Sequence, residues 1–214
     1  MSKRKYNYWF VSDTHFGHAN ILKESFGGGR PFETIEEMNE ALINNINASV
    51  DPEDTIIFLG DVFFLGTQRA RAIMDRINGT KVLVKGNHDG TDTQMRNKGF
   101  DVVVDRMDLM IQGQRVHFSH FPYRESKWHT FKKKYIWRTK QTRYLWLRLI
   151  DKGNWLCHGH THSKEKIKNK MIHLGVDAWD FKPVHISVLE HIIQTGKVPK
   201  QQLNKRKGIY EWKI

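Results

Sequence analysis

The chain has 214 residues, 39% of them hydrophobic and 27% charged, which suits one domain with a sizeable core and excludes a wholly disordered protein. Lys and Arg number 35 against 23 Asp and Glu, and the resulting net charge of +12 favours polyanionic or phosphorylated partners. A single cysteine, Cys157, excludes an intramolecular disulfide and any multi-thiolate zinc or iron–sulfur site, and it makes the reducing cytoplasm the expected location.

No run approaches the roughly 20 apolar residues of a membrane span, and Tyr6–Ser12 is too short for the core of a leader, so no membrane partner is expected. Tyr8–Val11, Thr55–Leu59, Lys81–Val84 and Trp155–Cys157 are short, β-rich apolar runs that predict buried strands. Ile35, Met38, Leu42 and Ile46 recur at helical spacing behind a capping-box pair, Thr34 and Glu37. Ala70, Ile73, Met74 and Ile77 repeat that spacing and stop at Asn78-Gly79. Asp101–Asp105, Leu109–Ile111 and Arg115–Phe118 predict consecutive strands, the last two turned at Gln112-Gly113. Lys164–Lys168 and Met171–Leu174 predict a hairpin around Asn169-Lys170, and Ser187 with Glu190 opens a helix carrying Val188, Ile192 and Ile193. Strands alternating with helices and followed by hairpins imply a layered α/β or α+β domain over residues 1–196. The basic stretch 197–214 is weakly patterned and is expected to be a loosely held tail.

Five polar clusters each directly follow a predicted strand: Ser12-Asp13-Thr14-His15, Gly60-Asp61, Gly86-Asn87-His88-Asp89, Ser119-His120 and His158-Gly159-His160-Thr161-His162. Side chains at the carboxyl ends of neighbouring strands converge on one crevice, where sheet proteins place ligands. Imidazoles, carboxylates and one amide without thiolate suit Mn²⁺, Fe²⁺, Zn²⁺ or Ni²⁺. Alternate residues of an extended segment point the same way, so Asp13 and His15 can grip one ion together.

The ordered series Asp13-x-His15, Gly60-Asp61, Gly86-Asn87-His88-Asp89, His120, Gly159-His160-x-His162 resembles the signature of the calcineurin-like metallophosphoesterase superfamily. The resemblance implies an α+β fold, a four-layer α/β/β/α sandwich, built around two divalent metal ions, with Mn²⁺ foremost. It implies that Asp13, His15 and His162 hold the first ion, that Asn87, His120 and His160 hold the second, and that Asp61 bridges both. It implies His88 as general acid beside the ions. Two ions bring more positive charge than Asp13 and Asp61 cancel, and ions roughly 3.5–4 Å apart can share a hydroxide for in-line attack at phosphorus.

Related protein phosphatases carry Gly-Asp-x-x-Asp-Arg-Gly, but Phe64 and Leu65 occupy the last Asp and Arg positions here, so a protein phosphatase is not expected. Asp89 is a candidate substitute for the carboxylate that would orient His88. Asp13–Asn20, Arg30-Pro31-Phe32 and Gly175–Asp180 resemble a small bacterial and phage branch of the superfamily. His18 and His158 either contact substrate phosphate or are satisfied loop and strand-end histidines. Arg30 is either a bidentate phosphate clamp or a solvated arginine.

Residues 127–150 hold eight Lys or Arg, no acidic residue and six aromatic rings. That mixture suits phosphate attraction with base stacking, or a helical insertion with its rings on the core, and in either case it should rim the site. The expected activity is metal-dependent hydrolysis of a phosphodiester or nucleotide-type ester. The alternatives are a nuclease acting on DNA or RNA with the same centre, and a non-catalytic nucleic-acid-binding scaffold.

Overall fold

The computed structural model describes residues 7–26, 29–124, 144–204 and 209–213, so most of the basic aromatic stretch expected to form an insertion at 127–150 lies outside the described residues. In chain order the first elements are strand β1 (Tyr8–Val11), helix α1 (Ile35–Asn47), β2 (Thr55–Phe58), α2 (Thr67–Met74), β3 (Thr80–Val84), α3 (Asp92–Asn97) and β4 (Val102–Val104). Then come β5 (Met107–Ile111), β6 (Gln114–Phe118), β7 (Trp155–His158), β8 (Ile167–Lys168), β9 (Met171–His173), β10 (Val184–His185), α4 (Ile186–Thr195), β11 (Lys200–Asn204) and β12 (Ile209–Lys213).

Strands β1 to β4 pair in parallel, with β10 antiparallel on the free edge of β1. A second five-stranded sheet has the order β5-β6-β7-β9-β8, in which β6, β7 and β9 run parallel. Side chains alternate between the faces of the first sheet, as the two-residue period of a strand dictates. Val11, Ile56, Phe58, Leu83 and Val103 join the core shared with Met38, Leu42, Ile43 and Ile46 of α1 and with Ala70 and Met74 of α2. Phe10, Ile57, Leu59 and Val84 face the other way and meet Val116, Phe118, Trp155, Cys157 and Ile172 of the second sheet. Val188, Leu189, Ile192 and Ile193 of α4 close this second core. The expected α+β sandwich is therefore present, with Cys157 buried in it. Among the described residues no helix is long and apolar enough to cross a membrane.

Local chemistry explains the element ends. The Thr34 side chain accepts from the Glu37 amide at 3.1 Å, but the Glu37 carboxylate reaches back to the amide of Glu33 at 2.8 Å, one residue short of the reciprocal box. Gln112 and Gly113 both adopt positive φ (50° and 72°), as a tight two-residue hairpin turn requires. Helix α4 begins at Ile186, before the expected Ser187, because the His185 side chain caps the Ser187 amide. Helix α3 has a full capping box, Thr91 with Gln94, but buries only Met95, so no apolar period announced it. Within the stretch from Lys197, β11 and β12 pair antiparallel as a separate two-stranded sheet, Lys200 opposite Lys213.

Phe10 and Phe118 are fully buried and stack across the two sheets, with ring centroids 5.1 Å apart. Phe10→Ala is expected to destabilise the protein by about 3–5 kcal/mol, because the facing sheets cannot collapse into the gap. Chemical denaturation midpoints check this, and a loss near zero would mean that the sheets do not meet there.

Candidate metal centre

Every polar cluster read from the sequence sits at one end of the two sheets. The parallel pairing of β1 with β2 runs on past the strands. The Asp13 amide donates to Gly60 O (3.1 Å), that of His15 to Asp61 O (3.2 Å) and that of Phe16 to Val62 O (2.9 Å). The β6–β7 pairing likewise runs on, with Gly159 N donating to His120 O at 3.0 Å, and the two sheets are joined where Val176 N donates to Ser12 O at 3.1 Å. Asp13, His15, Asp61, His160 and His162 all have positive φ, between 50° and 69°, which turns successive side chains into one crevice. Glycine is required beside them. A Cβ on Gly60 would meet the Gly86 amide at 2.5 Å and His120 Nδ1 at 2.6 Å, and one on Gly159 would collide with Ser12 Oγ and Asp13 Oδ2.

Two groups of potential ligand atoms result, Asp13 with His15 and His162, and Asp61 with His120 and His160, each within 4.8 Å of one another. They adjoin: the His160 amide donates to both Asp13 carboxylate oxygens (3.1 and 3.0 Å). His120 Nδ1 bonds Leu59 O at 2.7 Å, which leaves Nε2 facing Asp61 Oδ2 at 3.4 Å and His160 Nδ1 at 3.2 Å. Burial alone would raise the Asp13 and Asp61 carboxyls, but the surrounding imidazoles, His120 foremost, outweigh it and hold both below the usual carboxylate range. Burial pushes His15 down to about 3 and, with His120 beside it, His160 to about 4. His120 goes the other way, to about 9, because Asp61 and Asp13 override its burial. A spot that retains a proton on a buried imidazole is one that favours a cation.

The residues present fit a divalent ion on separate grounds. The atoms His15 Nδ1 and Asn87 Oδ1 are buried without a hydrogen-bond partner in the structure, an arrangement that is costly unless something binds them. Imidazole, carboxylate and amide together suit borderline to hard ions.

The remaining expected site residues divide. His88 is exposed at the mouth, and its amide donates to Asp61 Oδ1 at 2.9 Å. Phe64 lies 4.9 Å from the His88 ring, 4.0 Å from that of His18 and 5.1 Å from that of His15, so one phenyl ring touches three imidazoles. Asp89 does not orient His88; its carboxylate is buried beneath the amides of Gly86 (2.7 Å), Asp61 (2.9 Å) and Val62 (3.2 Å), tying the ends of β2 and β3. Arg30 is no phosphate clamp, since its side chain is 2% exposed and bonded to Asp177 and to the carbonyls of Asp13 and Thr14. His158 is likewise buried, with Nδ1 on Gly159 O and its ring tilted against His173, so it cannot reach substrate. Asp177, which sequence reasoning passed over, accepts from His162 Nδ1 at 3.1 Å. Among the described residues of the basic stretch, the Tyr144 ring lies 5.8 Å from that of His160.

A profile of the family described as calcineurin-like phosphoesterase matches residues 6–200, and the chain belongs to that family. It is 30% identical over 207 residues to the uncharacterized protein MJ1445 of Methanocaldococcus jannaschii, an alignment covering 92% of this chain and 96% of that protein. It is 29% identical over 196 residues to the Gene 66 protein of Mycobacterium phage L5, covering 81% and 87% respectively. Among solved structures it is similar to AQ665 of Aquifex aeolicus, a protein of unknown function, with a TM-score of 0.60 and 24% identity over 87% of this chain and 99% of that one. At that identity the likeness concerns the fold alone.

Burial pushes the His158 imidazole down to about 3, with His173 adding to the effect. The unfolded chain takes up this proton below about 6.5 while the folded protein does not. The contribution to stability is therefore complete above pH 6.5 and is lost as pH falls from there through about 3. In chelator-stripped protein, His158→Leu is expected to flatten the fall of the thermal midpoint between about pH 6.5 and 4, and identical slopes would refute the buried neutral state.

Proposed function

We propose that this protein hydrolyses a phosphodiester or nucleotide-type phosphate ester at a centre of two divalent ions, Mn²⁺ foremost, with Fe²⁺, Zn²⁺ and Ni²⁺ as alternatives its donors accept. Membership of the calcineurin-like family supports phosphoester hydrolysis as the class of reaction. The observation that carries the dinuclear reading is the juxtaposition of two ligand groups, linked where the His160 amide holds the Asp13 carboxylate. Asp13, His15 and His162 are assigned to the first ion, Asn87, His120 and His160 to the second, and Asp61 to both. Ions so held supply Lewis acidity, neutralise phosphoryl charge and lower the pKa of a water towards ~7.

The chain's own contribution follows from its groups. Asp13 and Asp61 are kept ionised, and His15 and His160 are kept as neutral donors by burial. His88 stands exposed at the mouth, within reach of a departing alkoxide that needs a proton. His18, whose ring also packs against Phe64, is assigned in this reading as a contact for the substrate phosphate. The net charge of +12 favours one second reading, a nuclease using the same groups on DNA or RNA. The lone, buried Cys157 suits a reducing compartment, and we place the protein in the cytoplasm.

Asp61→Asn should reduce hydrolysis of bis-p-nitrophenyl phosphate in Mn²⁺ by more than the roughly 10- to 100-fold that losing an outer partner brings. Full activity in that variant would refute the shared-ligand role. His88→Ala should keep its bound metal and lose turnover most for esters with poor leaving groups, whereas loss of metal would make His88 a ligand. Cleavage of a labelled oligonucleotide that weakens steeply with salt would favour the nuclease over a small-ester enzyme.

A further inference from the structure

Arg30 is separated from Asp177 by 147 positions, yet the two form a buried fork: Nε to Oδ1 at 2.9 Å and Nη2 to Oδ2 at 3.1 Å. The same guanidinium reaches Thr14 O through Nη1 (2.9 Å) and Asp13 O through Nη2 (2.6 Å), thereby gripping the backbone between the candidate ligands Asp13 and His15. Asp177 Oδ2 also faces His162 Nδ1 at 3.1 Å, and His162 Nε2 lies 3.9 Å from Asp13 Oδ1. Side-chain exposure falls along this chain of contacts, from 19% at His162 to 11% at Asp177 and 2% at Arg30.

We propose that Asp177, anchored by Arg30, is the positioning residue of the first metal group: it takes the Nδ1–H of His162 and so presents Nε2 to the ion beside Asp13. The inference rests on assigning Asp13, His15 and His162 to that ion. An imidazole has two chemically distinct nitrogens, and a hydrogen bond at one fixes which is left with a free lone pair. Without Asp177 the ring could rotate or present the wrong tautomer. The carboxylate also makes the imidazole a stronger donor, the effect seen wherever a carboxylate backs a ligating histidine. Arg30 makes the brace rigid. A carboxylate held by two guanidinium bonds cannot swing inward and become a ligand itself, and the guanidinium ties it to the 13–14 backbone that carries the other two ligands. Arg30 therefore serves the metal group without touching it.

The test uses Mn²⁺ titrated into chelator-stripped full-length protein, read by calorimetry, together with Co²⁺-loaded protein read by paramagnetic NMR. Asp177→Asn should weaken one of two Mn²⁺ sites by about 10- to 100-fold and leave the other unchanged. Removing one member of a buried pair leaves the other charge uncompensated, and the double variant Arg30→Met with Asp177→Leu covers a failure to fold, since apolar replacement of a whole buried pair is commonly tolerated. If Asp177 is merely the counter-ion of Arg30, the double variant regains wild-type affinity. If it positions His162, the double variant folds cooperatively but stays weak at that one site. In Co²⁺ protein the exchangeable, hyperfine-shifted N–H resonance of His162 should be present in the wild type and lost in both variants. Wild-type Mn²⁺ affinity in either variant, or persistence of that resonance, overturns the proposal. Failure of the wild type itself to bind Mn²⁺ at this group would instead overturn the reading beneath it.

Discussion

The constraint on which the site depends is backbone handedness. After β1, β2 and β7 the chain enters the left-handed region at residues that are not glycine, namely Asp13, His15, Asp61, His160 and His162. Each such residue costs of order 1–3 kcal/mol, and it persists only where its surroundings over-determine it. The parallel ladder supplies that determination by running on past the strands, from Asp13 N to Gly60 O through Phe16 N to Val62 O. Glycines 60, 86 and 159 supply the rest, because the neighbouring loops approach too closely for any side chain there. Strain and support are thus concentrated at one end of the sandwich, and the two cores below it act as the rigid base.

Electrostatics follows from that geometry. Folding places two carboxylates and several imidazoles in a crevice where all but the mouth is buried. The carboxylates stay ionised only because positive partners face them, and His15 and His160 stay neutral because burial dominates there. Histidines proposed as ligands need that neutral state, since a protonated nitrogen has no lone pair to offer. The same burial that makes the crevice costly to assemble keeps His15 and His160 ready as donors, whereas the facing carboxylates hold a proton on His120.

How much of this was legible in the sequence varies with the kind of interaction. Strands and the residues directly after them were legible, because alternation and strand-end polarity are local: Val11 into Asp13 and Leu59 into Asp61 read off as plainly as they fold. The fork from Arg30 to Asp177 was not, because nothing local marks two residues 147 positions apart as partners. An arginine in a loop reads as a phosphate clamp until its burial is known. Asp89 misled for a related reason: adjacency to His88 in sequence suggested contact, but its oxygens are turned towards three amides of the β2 and β3 ends. The terminal hairpin was not read from the sequence because Lys200–Asn204 and Ile209–Lys213 lack a clean two-residue alternation of apolar and polar residues.

Phe64 shows what a departure from the protein-phosphatase pattern means physically. There a carboxylate would hold the acid histidine by charge; here a half-buried ring is in contact with His15, His18 and His88 together. Its own placement is fixed by the Phe64 amide on Phe16 O at 2.9 Å, and the packing is tight, for a Cβ on Gly17 would run into Leu65. An apolar ring orients imidazoles by shape and takes no hydrogen bond from their nitrogens. It also adds no negative charge next to the site proposed for the phosphate. The exchange of Asp for Phe therefore does two things at once: it removes a repulsion at the mouth, and it couples the position of the proposed acid to that of a proposed metal ligand through one rigid contact.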